Sequence, residues 1–284
     1  MGNYSKILVA FDGSQSSRNA LAQTLAGFEH GWIKVVVVVP SYDGDLELIG
    51  VSDLEALLRG PADELADAAR EITLADAGRV NIEVVKGEAY EKIVDLAVRE
   101  NCTLTVMGRR GLHRVERMLM GSVTEKVIVH SPTDVLVIPR NASVSWDNIL
   151  VATDGSEYSR AALDKALLFA RETGGRLQAV SVVDIYPETY ADAPEVVAKM
   201  EEKALTALED TRRKAGAEGI VISTQLLHGD PGEEISKMAA GGRAGILFVG
   251  NRGRTGLKKI FLGSVAQKVI GLSACPVFVS QTAS

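Results

Sequence analysis

The hydrophobic pattern of the chain alternates between short apolar runs and longer segments with helical spacing. The run "KILVAF" is followed by a segment in which Ala20, Leu21, Leu25 and Phe28 recur at helical intervals. The next run, "IKVVVVV", is too uniformly apolar for a surface strand and is typical of a strand buried on both faces. Similar pairs follow to the end of the chain. Alternating units of this kind predict an α/β fold, a doubly wound parallel sheet with right-handed crossovers.

The whole pattern occurs twice. The stretch "DGSQSSRNAL" begins at Asp12 and "DGSEYSRAAL" at Asp154, a shift of 154 − 12 = 142 residues. A glycine-rich stretch, "GRRGLHRVERMLMGS" from Gly108, returns at the same shift as "GNRGRTGLKKIFLGS" from Gly250. A period of this length suits a whole domain rather than a solenoid unit. The sequence therefore predicts two domains, residues 1–140 and 147–284.

Each glycine-rich stretch lies between a buried-looking strand and the start of a helix. A helix N-terminus offers free N–H groups and a partial positive charge, which suits an anion. Gly121 and Gly263 would let phosphates approach the backbone, and Ser122 and Ser264 could cap the helix or donate to a phosphate oxygen. A plain surface loop is the alternative, which the duplication disfavours. We expect the positive φ angles of a tight turn at the earlier glycines: Gly108, Gly111, Gly250 and Gly253.

An aspartate follows the first strand of each half. At the carboxyl end of a strand in a doubly wound sheet, Asp12 and Asp154 could hydrogen-bond a ribose or help to place a metal. The alternative is a turn or N-cap role within "DGS". The residues alone leave both readings open.

Both halves resemble domains of the universal stress protein family. The resemblance rests on the spacing Gly, two residues, Gly, nine residues, Gly-Ser, which occurs in each half. It is supported by the pairs "VAFDGS" and "VATDGS", "VMGRRG" and "FVGNRG", and "GSVTEKV" and "GSVAQKV". The resemblance covers essentially the whole chain. It implies two Rossmann-like domains packed as an internal pseudo-dimer.

The resemblance also implies an adenine nucleotide site in each half, for ATP or alternatively AMP or ADP, with Mg²⁺ as a companion of ATP. Asp12 and Asp154 would face the ribose and adenine, and the backbone of Val38 or Val182 would meet the adenine. The remaining residues that it assigns to the sites are Ala10, Met107, Gly108, Arg109, Gly111, Gly121, Ser122, Val123, Thr124, Ala152, Val249, Gly250, Gly253, Gly263, Ser264 and Val265. Since Ala266 replaces Thr124, we expect the second site to lack one hydroxyl.

Composition narrows the classes of partner. The net charge is −6 and aromatic residues make up 5 %, which argues against a nucleic-acid binder or an anionic-membrane binder. The four histidines lack a second ligand at zinc spacing, so no zinc site is predicted and no metal ligand is assigned. Cys102 and Cys275 lie at non-equivalent places near apolar runs, which predicts two reduced, buried thiols. Without a recognisable targeting segment, we expect a cytoplasmic protein.

The predicted function is a nucleotide-dependent stress-response sensor that acts through an unknown regulatory partner or through assembly. One alternative is a slow ATPase or autophosphorylating enzyme. Few residues support this alternative. Hydrolysis requires a positioned general base, and Asp12 and Asp154 are the only obvious carboxylates associated with the motifs, so no catalytic residue is assigned. Another alternative is a nucleotide-free dimerisation scaffold. The apolar strands "DVLVIP" and "PVFVS" would be sticky edges, which the resemblance suggests pair with each other or with another chain, as in a homodimer.

Overall fold

The computed structural model describes residues 4–40, 54–111, 120–185, 194–253 and 261–282, with side chains of the helix that begins at Leu54 described from residue 60. The first half contains the strands β1 (Lys6–Ala10), β2 (Trp32–Val39), β3 (Val80–Lys86), β4 (Leu104–Gly108) and β5 (Asp134–Ile138). Its helices are α1 (Gln15–Gly27), α2 (Leu54–Thr73), α3 (Ala89–Arg99) and α4 (Ser122–His130).

The second half repeats this order. Its strands are β6 (Asn148–Ala152), β7 (Arg176–Val183), β8 (Ile222–His228), β9 (Ile246–Gly250) and β10 (Val277–Ser280). Its helices are α5 (Glu157–Thr173), α6 (Pro194–Ala217), α7 (Pro231–Gly241) and α8 (Ser264–Leu272). None of the helices within the described ranges is long and apolar enough to cross a membrane.

The ten strands form one sheet in the order β3-β2-β1-β4-β5-β10-β9-β6-β7-β8. All neighbours within a half are parallel, whereas β5 and β10 pair antiparallel, with Leu136 opposite Phe278. The predicted α/β fold with two doubly wound sheets is confirmed. The structure adds that the two sheets join edge to edge: β5 and β10, the two apolar edge strands, pair with each other within the chain.

The central strands are apolar on both faces because helices cover both. In β1, Ile7 and Val9 belong to one hydrophobic cluster and Leu8 to the other. The first cluster includes residues of α1, α2, α5 and α6, and the second includes residues of α3, α4, α7 and α8. This division of the helices explains the long β-branched run of β2, since a strand between two helix layers has no wet face.

Both cysteines are buried and free of a disulfide, as predicted. Cys102 precedes β4 and Cys275 precedes β10. Burial raises the pKa of the Cys102 thiol to about 11 and also raises the pKa of Cys275. Both groups are therefore held as unreactive thiols rather than thiolates.

Candidate functional site

The strand order places a topological switch point in each half. β1 lies between β2 and β4, and β6 lies between β7 and β9. The helices that follow β1 and β6 cover one face of the sheet, and those that follow β4 and β9 cover the other. Ligands of open parallel sheets bind in the crevice that such a reversal opens at the carboxyl ends of the strands.

A cavity of about 410 Å³ occupies this crevice in the second half. Its volume lies within the range of about 300–1,000 Å³ that is typical of small-molecule sites. The structure brings together around it every second-half residue that the sequence assigned to a site: Ala152, Asp154, Val182, Val249, Gly250, Gly253, Gly263, Ser264 and Val265.

The sequence did not identify the other walls of this cavity. Met200 and Ala204 of α6 and Pro231 and Ile235 of α7 line it. These residues reach the crevice through packing of helices that are distant in sequence, and no local motif marks them. Four polar residues that the sequence did not indicate also line the cavity: Thr153, Ser159, Ser181 and Asp184. Thr153 directly precedes the "DGS" motif and Ser159 follows it closely.

The "DGS" motif forms a tight turn that starts a helix. The Oδ1 atom of Asp12 accepts a hydrogen bond from the backbone N of Ser14 at 3.0 Å. Gly13 adopts a left-handed φ of 76°, which favours glycine. Ser14 is the N-cap of α1, and its hydroxyl accepts from the N of Ser17. The second copy repeats this arrangement with Asp154, Gly155, Ser156 and Ser159. The turn role of the aspartates is therefore observed, and it uses one carboxylate oxygen of each.

The expected positive φ at the earlier glycines of the glycine-rich stretches is wrong. The described glycines with positive φ are Gly13, Gly87, Gly155, Gly174, Gly219 and Gly229. Space is what requires glycine here instead: a Cβ on Gly108 would lie 2.7 Å from the carbonyl carbon of Ser16, and a Cβ on Gly250 would lie 2.6 Å from that of Tyr158. The end of β4 or β9 thus packs directly against the first turn of α1 or α5.

The second glycine of each stretch lies against the aspartate. A Cβ on Gly111 would collide with Oδ2 of Asp12, and one on Gly253 would lie 3.0 Å from Oδ2 of Asp154. The second carboxylate oxygen is therefore turned towards the glycine-rich stretch. Strand end, turn and glycine-rich stretch form one compact unit.

The glycine-rich stretch ends at a helix whose N-cap has no side chain. Gly121 and Gly263 are the N-caps of α4 and α8, and neither helix has a side-chain cap. Ser122 and Ser264 are the first helical residues, so of the two roles that the sequence left open for them the N-cap role is excluded. Because a glycine N-cap has no side chain that could accept from the first turn, this turn has N–H groups that suit an anion. In the second half, Ser264, Val265 and Ala266 of this turn line the cavity.

The hydroxyl that distinguishes the two halves serves the fold. Thr124 is buried, and its Oγ1 donates to the carbonyl oxygen of Gly108 at 3.1 Å. The hydroxyl is thereby committed to β4. Ala266, also buried, occupies the equivalent place in the second half. The expected loss of a ligand hydroxyl in the second site is therefore not supported by this geometry.

Two arginines of the glycine-rich stretches differ in placement. The guanidinium of Arg109 donates to the carbonyl oxygen of Ser273 in the other half at 2.7 Å. Burial lowers its pKa. The Arg109 side chain therefore points to the junction of the halves and not to the proposed phosphate site at the start of α4. Arg252 lines the second cavity, and its guanidinium lies 5.6 Å from the centre of the Tyr158 ring.

The other first-half residues assigned to a site lie at the equivalent switch point. Ala10, Met107 and Gly108 lie in the last two positions of β1 and β4, Val38 lies near the end of β2, and Val123 lies in the first turn of α4. His113 and five basic residues of the two glycine-rich stretches lie outside the described residues: Arg114, Arg117, Arg254, Lys258 and Lys259.

Comparison with known proteins agrees with this architecture. The family model described as "Universal stress protein family" matches residues 3–139 and again residues 145–281. A universal stress protein of Methanocaldococcus jannaschii is 35 % identical over 146 residues, which is 50 % of this chain and 86 % of that protein. One from Bacillus subtilis is 33 % identical over 147 residues, which is 47 % of this chain and 98 % of that protein.

Similarity to a solved structure extends over both halves. A universal stress protein from Archaeoglobus fulgidus superposes with a TM-score of 0.69 at 25 % identity and covers 98 % of each chain. Two successive matches to the family model span nearly the whole sequence. The chain therefore belongs to the universal stress protein family and carries two of its domains in tandem.

Proposed function

We propose that the chain is an adenine nucleotide-binding sensor with one site in each half. The observation that carries this proposal is the second cavity, which joins a strand-end crevice to a bare helix N-terminus. One end of the cavity is apolar and the other presents backbone N–H groups. A base attached to a phosphate chain has the same two ends.

The base would bind at the apolar end. Ala152, Val182, Met200 and Ile235 are among the apolar residues that line the cavity. The edge of a base then meets the backbone of β7, which carries strand donors and acceptors. Asp154, which lines the cavity and whose Oδ1 accepts from the N of Ser156, would face the ribose.

The phosphates would bind at the start of α8. No acidic residue lies in the first turn of this helix, so its partial positive charge is not opposed locally. Arg252 adds a cation at the same end. The first half repeats the strand ends, turn and helix start, with Glu125 in the first turn of α4. We therefore expect weaker phosphate binding in the first half than in the second.

Binding without rapid hydrolysis fits the side chains better than an ATPase. Asp154 and Asp184 are the acidic groups among the described lining residues, and Asp154 already accepts from Ser156. ATP would bring its Mg²⁺ mainly on its own phosphate oxygens, as is usual for nucleotide-bound magnesium. A change of partners or of assembly on binding, in the cytoplasm, would make the protein a stress-response sensor.

The proposal is tested by the nucleotide that freshly purified protein carries, followed by titration. We expect denaturation to release adenine nucleotide, predominantly ATP, at up to two per chain. Calorimetric titration of stripped protein should then show that Gly263→Ala weakens binding in the second site at least tenfold, or about 1.4 kcal/mol. The added methyl group would lie 3.1 Å from Cα of Arg252 and would disturb the backbone that the phosphates are proposed to meet.

Gly216→Ala is the matched control, because Gly216 lies near the end of α6 with open space around it. Its affinity should equal that of the parent chain. Unchanged affinity in Gly263→Ala would contradict the phosphate assignment. Steady phosphate release that Asp12→Asn and Asp154→Asn abolish would favour the enzyme instead, since both asparagines keep the turn acceptor.

A further inference from the structure

A buried carboxylate lies where the two halves meet. Asp134, the first residue of β5, is 6 % exposed. Its Oδ2 accepts from the hydroxyl of Tyr4 at 2.7 Å and lies 3.2 Å from Nζ of Lys165. Its Oδ1 accepts from the backbone N of Gln281 at 2.8 Å. Both oxygens thus have hydrogen-bonding or charged partners at the junction.

Two of these partners come from the opposite half. Lys165 lies on α5 and Gln281 directly follows β10. A buried carboxylate is tolerated only when a charge and hydrogen bonds compensate its lost hydration. Burial and then the charge of Asp134 raise the pKa of Tyr4, so this hydroxyl stays a donor. The first half therefore depends on the second for its compensation.

The equivalent residues in the other copy cannot make these contacts. At the shift of 142 residues, Asp134 corresponds to Pro276, Lys165 to Gln23 and Gln281 to Pro139. The acid is replaced by an apolar ring, the cation by a neutral amide and the N–H donor by a residue without one. Tyr4 corresponds to Trp146, whose Nε1 is buried without a hydrogen-bond partner in the described part of the chain.

These differences decide what a first half would meet on pairing with a second copy of itself. The observed register sets Leu136 opposite Phe278 and Val137 opposite Val277. The same register between two copies of β5 would set Leu136 opposite Leu136. Asp134 would then face the region of Pro139 and Gln23, and it would lose both the N–H and the cation. Such pairing buries a carboxylate that keeps the hydroxyl of Tyr4 but has no cation to balance its charge.

Pairing between two second halves lacks the acid instead. Lys165 would be near Pro276, and the N–H of Gln281 would find no carboxylate. The mixed pairing of one first half with one second half is the combination that gives Asp134, Lys165 and the N–H of Gln281 their partners.

We propose that Asp134, with Lys165 and Gln281, makes the β5 surface accept the second half and reject a second copy of the first half. The geometry assigns a partner-selecting role to one acid that replaces a proline at the pseudo-twofold junction. This role is independent of nucleotide binding.

The test uses single cysteines in the full chain as reporters of pairing. In a pairing of two β5 strands, residue 136 of one chain faces residue 136 of the other at about 4.5–5.5 Å between Cα atoms, within disulfide range. The Leu136→Cys chain is unfolded in urea with reductant, refolded at high concentration and then oxidised. We expect no disulfide-linked dimer while Asp134 is present, and a detectable dimer fraction, alongside chains that keep the internal pairing, once Asp134→Pro is added.

Two controls keep the result interpretable. The parent chain, with buried Cys102 and Cys275 only, should show no dimer band. The chain with Leu136→Cys and Phe278→Cys should form a disulfide within one chain, which reports the native register. That internal disulfide should also form when Asp134→Pro is present, since proline occupies the equivalent position of the other half.

Either of two results would overturn the proposal. One is a covalent dimer of Leu136→Cys with Asp134 in place, because the acid would then not exclude like pairing. The other is no dimer in the Asp134→Pro chain when its internal disulfide control forms. Asp134→Asn gives a second measure: because it removes the charge while keeping the shape, its dimer fraction in the Leu136→Cys chain should lie between those found with Asp134 and with Asp134→Pro.

Discussion

Gly108 and Gly121 lie in the same stretch but should respond oppositely to alanine. Gly108 ends β4, and a Cβ there would lie 2.7 Å from the carbonyl carbon and the Cβ of Ser16 and 2.8 Å from the N of Ser17. Those backbone atoms belong to the first turn of α1 and cannot move alone. Gly121 has φ −71° and ψ 142°, angles that alanine adopts, and its nearest neighbours would be 3.5 Å away.

The expected magnitudes follow from these distances. Overpacking of a rigid site costs about 1–3 kcal/mol, so Gly108→Ala should lower the unfolding midpoint by about 2–12 °C. Gly121→Ala leaves packing intact and restricts the unfolded chain, so its stability should change by less than about 1 kcal/mol. Its effect should fall on nucleotide affinity in the first half, which should weaken about tenfold, or 1.4 kcal/mol.

Thermal unfolding of the nucleotide-free chain and calorimetric titration separate the two outcomes. Gly216→Ala again serves as the control for a general glycine-to-alanine effect. If Gly108→Ala unfolds at the parent midpoint, the close approach of β4 to α1 is not what requires glycine. If Gly121→Ala strongly lowers the unfolding midpoint, the inference that alanine fits at position 121 without disturbing the packing is contradicted.

Three further predictions concern caps, hydroxyls and thiols. Ser14→Ala and Ser156→Ala should each cost about 1 kcal/mol in urea unfolding because each removes an N-cap acceptor, whereas Ser264→Ala, which removes no cap, should stay within about 0.5 kcal/mol. Thr124→Ala should lower stability by about 1 kcal/mol through the lost bond to Gly108 and leave nucleotide affinity unchanged in calorimetry; weaker binding would return the hydroxyl to the ligand. Since the pKa of Cys102 is raised from 9.0 to about 11, the folded state keeps its proton where the unfolded chain loses it, so stability is full below pH 9 and falls as pH rises to about 11. Unfolding midpoints across that range should fall less steeply in Cys102→Ala, and equal slopes would contradict this prediction.

The sequence was sufficient for the fold because its signals are local and doubled. Each strand is marked by its own run of β-branched residues and each helix by its own apolar spacing. Because the same order of strands and helices returns after 142 residues, the assignment in one half supports the assignment in the other. The glycine positions were recognised for the same reason. Their cause was misread, however: positive φ is a property of one residue, whereas the real requirement at Gly108 and Gly250 is proximity to a distant helix.

The walls contributed by α6 and α7 could not be predicted because they depend on tertiary packing. Met200 and Ala204 are ordinary positions of a helical pattern until the helix is placed over β7. Arg109 shows that a local motif can also suggest a role that tertiary contacts do not support. Its position in a basic, glycine-rich stretch suggests phosphate, while its carbonyl partner, Ser273, lies in the opposite half.

Covalent linkage of the two halves removes a constraint that symmetry imposes on assemblies of identical chains. In a twofold dimer every substitution appears at both ends of the contact, so an acid placed at one end is also placed at the other. In this chain the acid is present only in the first half, as Asp134, and the lysine that pairs with it only in the second half, as Lys165. The same freedom extends to the sites, where Thr153 stands in the second half at the position of Phe11 in the first. Duplication followed by fusion thus leaves each half free to acquire its own ligand preference while the shared sheet is retained.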